Sequence, residues 1–358
     1  MVYADYASTC PVVKYPQQLY RDVLGEGYFL NPNANYAYRE KRLLSEAENR
    51  VKKAIGAKEG KVVFGGTSSQ LIENLFTHIY DETNEYLTIC SIYEHDSVWR
   101  FADQWGDIDS LKHVIQTYHG DKQLIVCLMG VNNLTGEIMP IEEIGKLCHE
   151  HDTFYICDIT AMIGHTPIPS NIDQWCDCAV WSGHKLGTEL SIGAMWVSDR
   201  FDEWLDGFKL HGTPNLAGAL AMTQAVEDAC DKQSLCKRIW HYAELVDCLS
   251  KAIIKNAISF SYVEPIFSEF YCYPINAIRL PRLNADALQQ YLASQQIYVS
   301  IGGSACAEKH DYRVLNAYGL NNDEASEVIR VSFGEDSSIE DVKALVEGIK
   351  EFQDTYVK

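Results

Sequence analysis

Val180-Trp181-Ser182-Gly183-His184-Lys185, followed by the glycine-bearing run 187–197, decides how the rest of this chain reads. Residues 178–181 are strand-like, and they deliver a lone lysine at their end in the company of a hydroxyl and an imidazole. A lysine that is desolvated or crowded by positive charge is neutral often enough to form a Schiff base. Upstream, Asp158 closes the apolar run Phe154-Tyr155-Ile156-Cys157. Taken singly, these are a surface lysine after a strand and an aspartate opening a loop. Taken together, they are the minimal protein equipment for pyridoxal phosphate, a lysine amine and an acid to pair with a pyridinium nitrogen.

Outward from this segment, short apolar runs alternate with helical patterns. Strands are expected at 61–64, 86–92, 124–130, 153–157, 177–181 and 192–197, with helices at 69–79, 96–105 and 141–151. Such alternation predicts an α/β fold with a mostly parallel sheet covered by helices on both faces. Ligands of these folds sit at the carboxyl ends of strands, where Asp158 and Lys185 fall. From Asn215 to about residue 255 the pattern is helical without strands, and after Tyr262 short strands and helices return. The expected organisation is a large cofactor domain over residues 15–255 and a smaller α+β domain over 256–358, joined by the N-terminal segment 1–14. Asn284 can cap one late helix, and Ser337-Ser338-Ile339-Glu340 reads as a capping box for another.

The 358 residues are 47% hydrophobic and 22% charged, enough for a sizeable core. Thirty Lys and Arg stand against 50 Asp and Glu, and the formal net charge of −20 disfavours binding to nucleic acid or anionic membrane. An anionic ligand therefore needs a local site. No apolar run approaches the roughly 20 residues that span a bilayer. No export signal is expected, and twelve scattered cysteines without a C-x-x-C pair point to reduced thiols in a cytoplasm. Cys176-Asp177-Cys178 has no second pair to answer it, so no metal site is expected there.

Four further segments carry chemistry. Phe64-Gly65-Gly66-Thr67-Ser68-Ser69 turns from a strand into a helix and offers amides, hydroxyls and a helix dipole to a phosphate. Ile92-Tyr93-Glu94-His95 places an imidazole after a second strand, and Val131-Asn132-Asn133-Leu134-Thr135-Gly136 adds amides after a third. Ser300-Ile301-Gly302-Gly303-Ser304-Ala305-Cys306 sets a thiol in a glycine-rich loop.

At these segments the chain resembles the cysteine desulfurases, pyridoxal-phosphate enzymes of fold type I in the class V aminotransferase group. The resemblance runs from Tyr3-Ala4-Asp5-Tyr6-Ala7-Ser8-Thr9 to Ile329-Arg330-Val331-Ser332-Phe333-Gly334, and the Ser-Gly-His-Lys, Gly-Ser-Ala-Cys and Ile-Arg-x-Ser-x-Gly elements are specific in that order. It implies that Lys185 forms the Schiff base, Asp158 pairs with the pyridine nitrogen and His95 stacks on the ring. Ser68, Ser69, Ser182 and His184 would hold the phosphate, with Thr213 reaching it from a second subunit of a homodimer. Asn133 would position substrate and cofactor, and Arg330 would grip the substrate carboxylate. Cys306 would take the sulfur of L-cysteine as a persulfide, with Gly302-Gly303 lending mobility and His310 promoting the thiolate.

The chain departs from the family's pattern in three places. Ala161 stands where a glutamine usually meets the phenolic oxygen of the ring. The stretch after Cys306 is short, and Leu186-Gly187-Thr188-Glu189-Leu190 lacks the usual Gly-Pro-Lys. The resemblance implies a cysteine desulfurase that passes sulfur to an acceptor protein. Alternatives on the same scaffold are a cysteine or selenocysteine C–S lyase, an aminotransferase and a non-catalytic relay subunit. A plain aminotransferase has no need of Cys306, and a scaffold needs none of Lys185, Asp158, His95 and Arg330.

Overall fold

A computed structural model describes residues 1–25, 31–82, 85–268, 271–303 and 311–356. The chain divides into two units: Pro11–Gly130 with Met139–Leu235, and Met1–Cys10 with Val131–Ile138 and Cys236–Lys358. The opening strand β1 (Val2–Tyr3) belongs to the second of these.

The larger unit is built on a seven-stranded sheet of β2 (Lys61–Gly65), β3 (Tyr86–Ser91), β4 (Gln104–Gly106), β5 (Gln123–Cys127), β6 (Phe154–Asp158), β7 (Cys178–Ser182) and β8 (Gly193–Val197). Their order is β2-β8-β7-β6-β5-β3-β4. Only β8 runs against the others, since it pairs antiparallel with both β2 and β7. The remaining pairings are parallel. β7 and β8 are buried at every residue, so their sequences show continuous apolar character rather than alternation. The helix Ser68–Glu82 lays Leu71, Ile72, Leu75, Phe76 and Ile79 against Cys90, Ile125, Cys127, Ile156, Val180 and Met195 of the sheet. Each such side chain contributes about 1.5–3 kcal/mol by leaving water.

The helix expected over 96–105 ends at Trp99, and the chain turns into edge strand β4. Asp103 explains the turn: its carboxylate accepts from the Thr88 amide at 2.9 Å, and its own amide donates to the Thr88 carbonyl at 2.9 Å. These bonds fix the chain beside β3, and Trp105 becomes a strand residue.

In the smaller unit, β12 (Ser300–Ile301), β13 (Val328–Ser332), β10 (Ile275–Arg279) and β9 (Ser261–Tyr262) form an antiparallel sheet. β1 pairs in parallel with β11 (Ile297–Tyr298). The helix Lys232–Lys255 contributes Tyr242, Leu245, Leu249 and Ile253 to this unit's core, alongside Leu288, Leu292, Ile329, Val331 and Leu345. That packing is why the unit takes in the chain from Cys236 onward. Asn284 caps its helix through a 3.0 Å bond from the Ala287 amide. The last helix, Ile339–Tyr356, is capped one residue later than its sequence suggests. Ser338 and Asp341 form the reciprocal pair, because the Ser337 hydroxyl is taken by the Gly334 amide at 3.0 Å.

Candidate functional site

Seven of the residues singled out in the sequence lie at the carboxyl ends of β2, β3, β6 and β7, one edge of one sheet. Asp158 ends β6 opposite Val180 of β7. One of its oxygens accepts the Thr160 amide at 2.8 Å, so the turn itself aims the carboxylate. β7 ends at Ser182 and passes into a single 3-10 turn, Gly183–Lys185, which brings Lys185 round at the strand terminus. The loop behind this turn is tied down where the Val13 amide donates to the Gly187 carbonyl at 2.8 Å.

The Ser182 hydroxyl meets His184 Nδ1 at 3.2 Å. Burial, and then the charge of Lys185, push the His184 pKa down to about 4. The imidazole is thus a neutral hydrogen-bonding group near pH 7. This depression has a sign. The unfolded chain protonates near the ordinary histidine value while the folded one resists, so His184 costs stability progressively as pH falls from about 6.5 toward 4. In thermal melts across that window, His184→Gln is expected to lose less stability than the parent; equal losses would show that His184 does not carry the effect.

On the other side of β8, β2 leads into Ser68 and Ser69, the first residues of their helix. Thr67 and Gln70 form a capping box that is readable in the sequence as T-x-x-Q but was not singled out there. The Gln70 amide donates to Thr67 Oγ1 at 3.3 Å, and the Thr67 amide donates to Gln70 Oε1 at 3.0 Å. The intervening amides of Ser68 and Ser69 have no partner within the helix, as first-turn amides do not. They and the helix dipole make an anion seat. Gly193 sits between Gly65 and Ser182, and a Cβ there would lie 2.5 Å from the Gly66 carbonyl oxygen, so only glycine leaves the cradle open.

His95 follows β3 and caps the short helix Asp96–Trp99. Its Nδ1 accepts the Ser97 amide at 3.2 Å and lies 2.9 Å from the Ser97 hydroxyl, which places the ring proton on Nε2. Ala161 is buried, and no glutamine stands in its turn.

These residues fit pyridoxal phosphate: a lysine and an acid at adjoining strand ends, neutral donors, and a glycine-cleared helix terminus. Lys185 would tether the group, Asp158 would face its ring nitrogen, and Ser68, Ser69, Ser182 and His184 would hold its phosphate. Thr213 is not part of this cluster. It lies exposed in a loop whose Gly212 carbonyl accepts from Asn33 Nδ2 at 2.9 Å.

Asn133 and Arg330 belong to the smaller unit, where they meet: Arg330 Nη1 donates to the Asn133 carbonyl at 3.0 Å. The Asn133 turn is fixed by its neighbour, since Asn132 Oδ1 accepts the Leu134 and Thr135 amides at 2.9 Å each. Buried Glu137 ties the same turn to the Ile266 and Phe267 amides and the Tyr318 hydroxyl. Asp5, Ser8 and Ser300 also surround the Arg330 guanidinium, and none of the three was expected to do so. Cys306 and His310 lie outside the described residues. Gly302, assigned to mobility by sequence, is instead buried. Its amide donates to the Val328 carbonyl at 2.7 Å, and a Cβ there would come within 2.8 Å of Leu315 and Val328 side-chain atoms.

Comparison with known proteins gives concordant results. The family model described as aminotransferase class-V matches residues 2–345. The chain is 27% identical to the cysteine desulfurase IscS of Mannheimia succiniciproducens, covering 98% of this chain and 92% of that protein. It is equally 27% identical to the cysteine desulfurase IscS of Dictyoglomus turgidum, with 95% and 91% covered. A NifS-like protein from Rickettsia africae superposes with a TM-score of 0.84 over 99% of this chain and 100% of the other, at 20% identity. SspA, solved in complex with cysteine, superposes with a TM-score of 0.70 over 93% and 99%, at 21% identity.

Proposed function

The chain belongs to the class-V aminotransferase family, and on that premise we propose that it is a pyridoxal-phosphate-dependent cysteine desulfurase. The observation that carries the reading is the meeting of Asp158 and the Lys185 turn at adjoining strand ends, beside a helix terminus with unspent amides. The relatives named cysteine desulfurase supply the substrate class.

When bound, the cofactor supplies an electron sink for bond changes at the substrate carbons. Asp158 would keep the proton on the ring nitrogen, and His95, with its proton on Nε2, would lie along the ring. Lys185 Nζ would bind the cofactor and then hold or move the proton at the substrate α-carbon. Arg330 would take the α-carboxylate through its guanidinium charge and its remaining Nη1 donor. The Cys306 thiolate would attack the substrate sulfur; the S–S bond forms as the substrate C–S bond breaks, leaving a persulfide on Cys306 and alanine. An acceptor protein would then remove the outer sulfur.

A homodimer suits this chemistry. Tyr36 and Tyr38 are 70% and 79% exposed, and Asn33 just before them in sequence holds the Thr213 loop. Thr213 would reach the phosphate of a second copy. The eleven described cysteines are all free thiols, in keeping with a cytoplasmic setting. Among the described residues, no helix is long and apolar enough to cross a membrane.

Brief exposure to L-cysteine without reductant, followed by peptide mass spectrometry, tests the proposal. Alanine in solution and one additional sulfur on the peptide bearing Cys306 are the expected results. Absence of alanine would end the reading, and alanine with sulfide but an unmodified Cys306 would move it to direct C–S lyase chemistry.

A further inference from the structure

We infer that Asp5 is the standing counter-ion of Arg330, a positioning residue that limits how tightly the site holds an α-carboxylate. The inference rests on the assignment of Arg330 to the substrate carboxylate made above. Arg330 is 7% exposed, and its donors are largely committed within the smaller unit. Nη2 donates to Asp5 Oδ1 at 2.8 Å, to Ser8 Oγ at 2.5 Å and to Ser300 Oγ at 3.1 Å. The Ser8 hydroxyl in turn donates to the same Asp5 oxygen at 2.9 Å, so it locks carboxylate to guanidinium. Asp5 is itself anchored, because its backbone bridges Ser332 and its carbonyl accepts the Ser8 amide at 3.0 Å.

The two Nη2 hydrogens are therefore shared among three acceptors, and one Nη1 hydrogen goes to Asn133. Among the described residues the second Nη1 hydrogen meets no acceptor, which leaves it for an incoming carboxylate, and Nε is buried without a partner. An arriving anion would meet a guanidinium that Asp5 already neutralises, and two anions on one cation repel each other. The consequence concerns turnover. L-cysteine and alanine carry the same α-carboxylate, so a grip that tightens on both lowers KM without speeding reaction and delays alanine release. Asp5 weakens that grip while keeping the fork oriented.

The test compares holoenzyme with Asp5→Asn, Asp5→Ser and Asp5→Glu, reading KM and kcat for L-cysteine and the inhibition constant of L-alanine. In Asp5→Asn, whose amide oxygen can still accept from Nη2, the L-alanine inhibition constant and KM are expected to fall about tenfold, with kcat falling as well. Asp5→Glu should restore values near the parent's. Asp5→Ser, a second neutral side chain, serves the same comparison if the Asn variant does not fold. Cysteamine lacks the carboxylate, and its binding, followed by the visible absorbance of the bound cofactor, should be unchanged in all three. Unchanged L-alanine inhibition in a folded neutral variant would overturn the inference, as would weaker inhibition, which would make Asp5 a support only. A parent protein that neither turns over L-cysteine nor responds to L-alanine would fail the proposed function instead.

Discussion

Lys185→Ala is expected to remove the yellow colour of the cofactor-bound protein and to lower alanine formation at least about 1,000-fold, the scale of removing a catalytic nucleophile. The expectation follows from position. Lys185 is delivered by a one-turn 3-10 segment at the end of β7, and the neighbouring strand ends in Asp158. A borohydride-reduced protein should carry the cofactor on the peptide containing Lys185. An adduct that persists at another lysine in the Ala variant would show the assignment to be wrong. The variant should remain folded, since Lys185 is only partly buried, so circular dichroism separates a lost tether from a lost fold.

Cys306→Ser should give the second large effect with a different signature. The colour and the binding of L-cysteine should persist, because the thiol is assigned no part in holding the cofactor. Alanine formation should fall by about 1,000-fold or more, since a hydroxyl is a far poorer nucleophile toward sulfur than a thiolate. A variant that makes alanine and sulfide at the parent rate would exclude the persulfide route. Cys127, Cys157 and Cys178 offer no substitute, because they are buried in the central sheet and burial pushes their thiol pKa values up.

Much of the larger unit was legible because its central strands are buried on both faces. Apolar-rich runs at 61–64, 153–157 and 177–181 match β2, β6 and β7 to within a residue or two at either end. The candidate site residues stand out at their ends for the same reason, since strand termini are where side chains of such folds meet a ligand. What failed was non-local. The apolar spacing of 96–105 is helical, and only the Asp103 bonds to Thr88 turn its last residues into a strand. Val131–Ile138 reads as an ordinary turn between a strand and a helix, yet it belongs to the smaller unit through Glu137 and Gly136. The neighbours of Arg330 were hidden by distance, because Asp5 and Arg330 are 325 residues apart and no local pattern joins them. Gly302 shows a related limit: a glycine required by close packing and one required for motion look alike in sequence.

The three-segment construction of the smaller unit bears on how a ribosome can deliver this protein. β1 leaves the exit tunnel long before its partner β11 and before the Arg330 that Asp5 accompanies. Strand β1 must therefore wait for β11 while the long stretch between them can already condense around its parallel sheet. Closing so large a loop costs entropy that grows only slowly with its length, so the delay is one of timing more than of final stability. The proposed carboxylate grip is consequently completed later than the strands that form the proposed cofactor cradle.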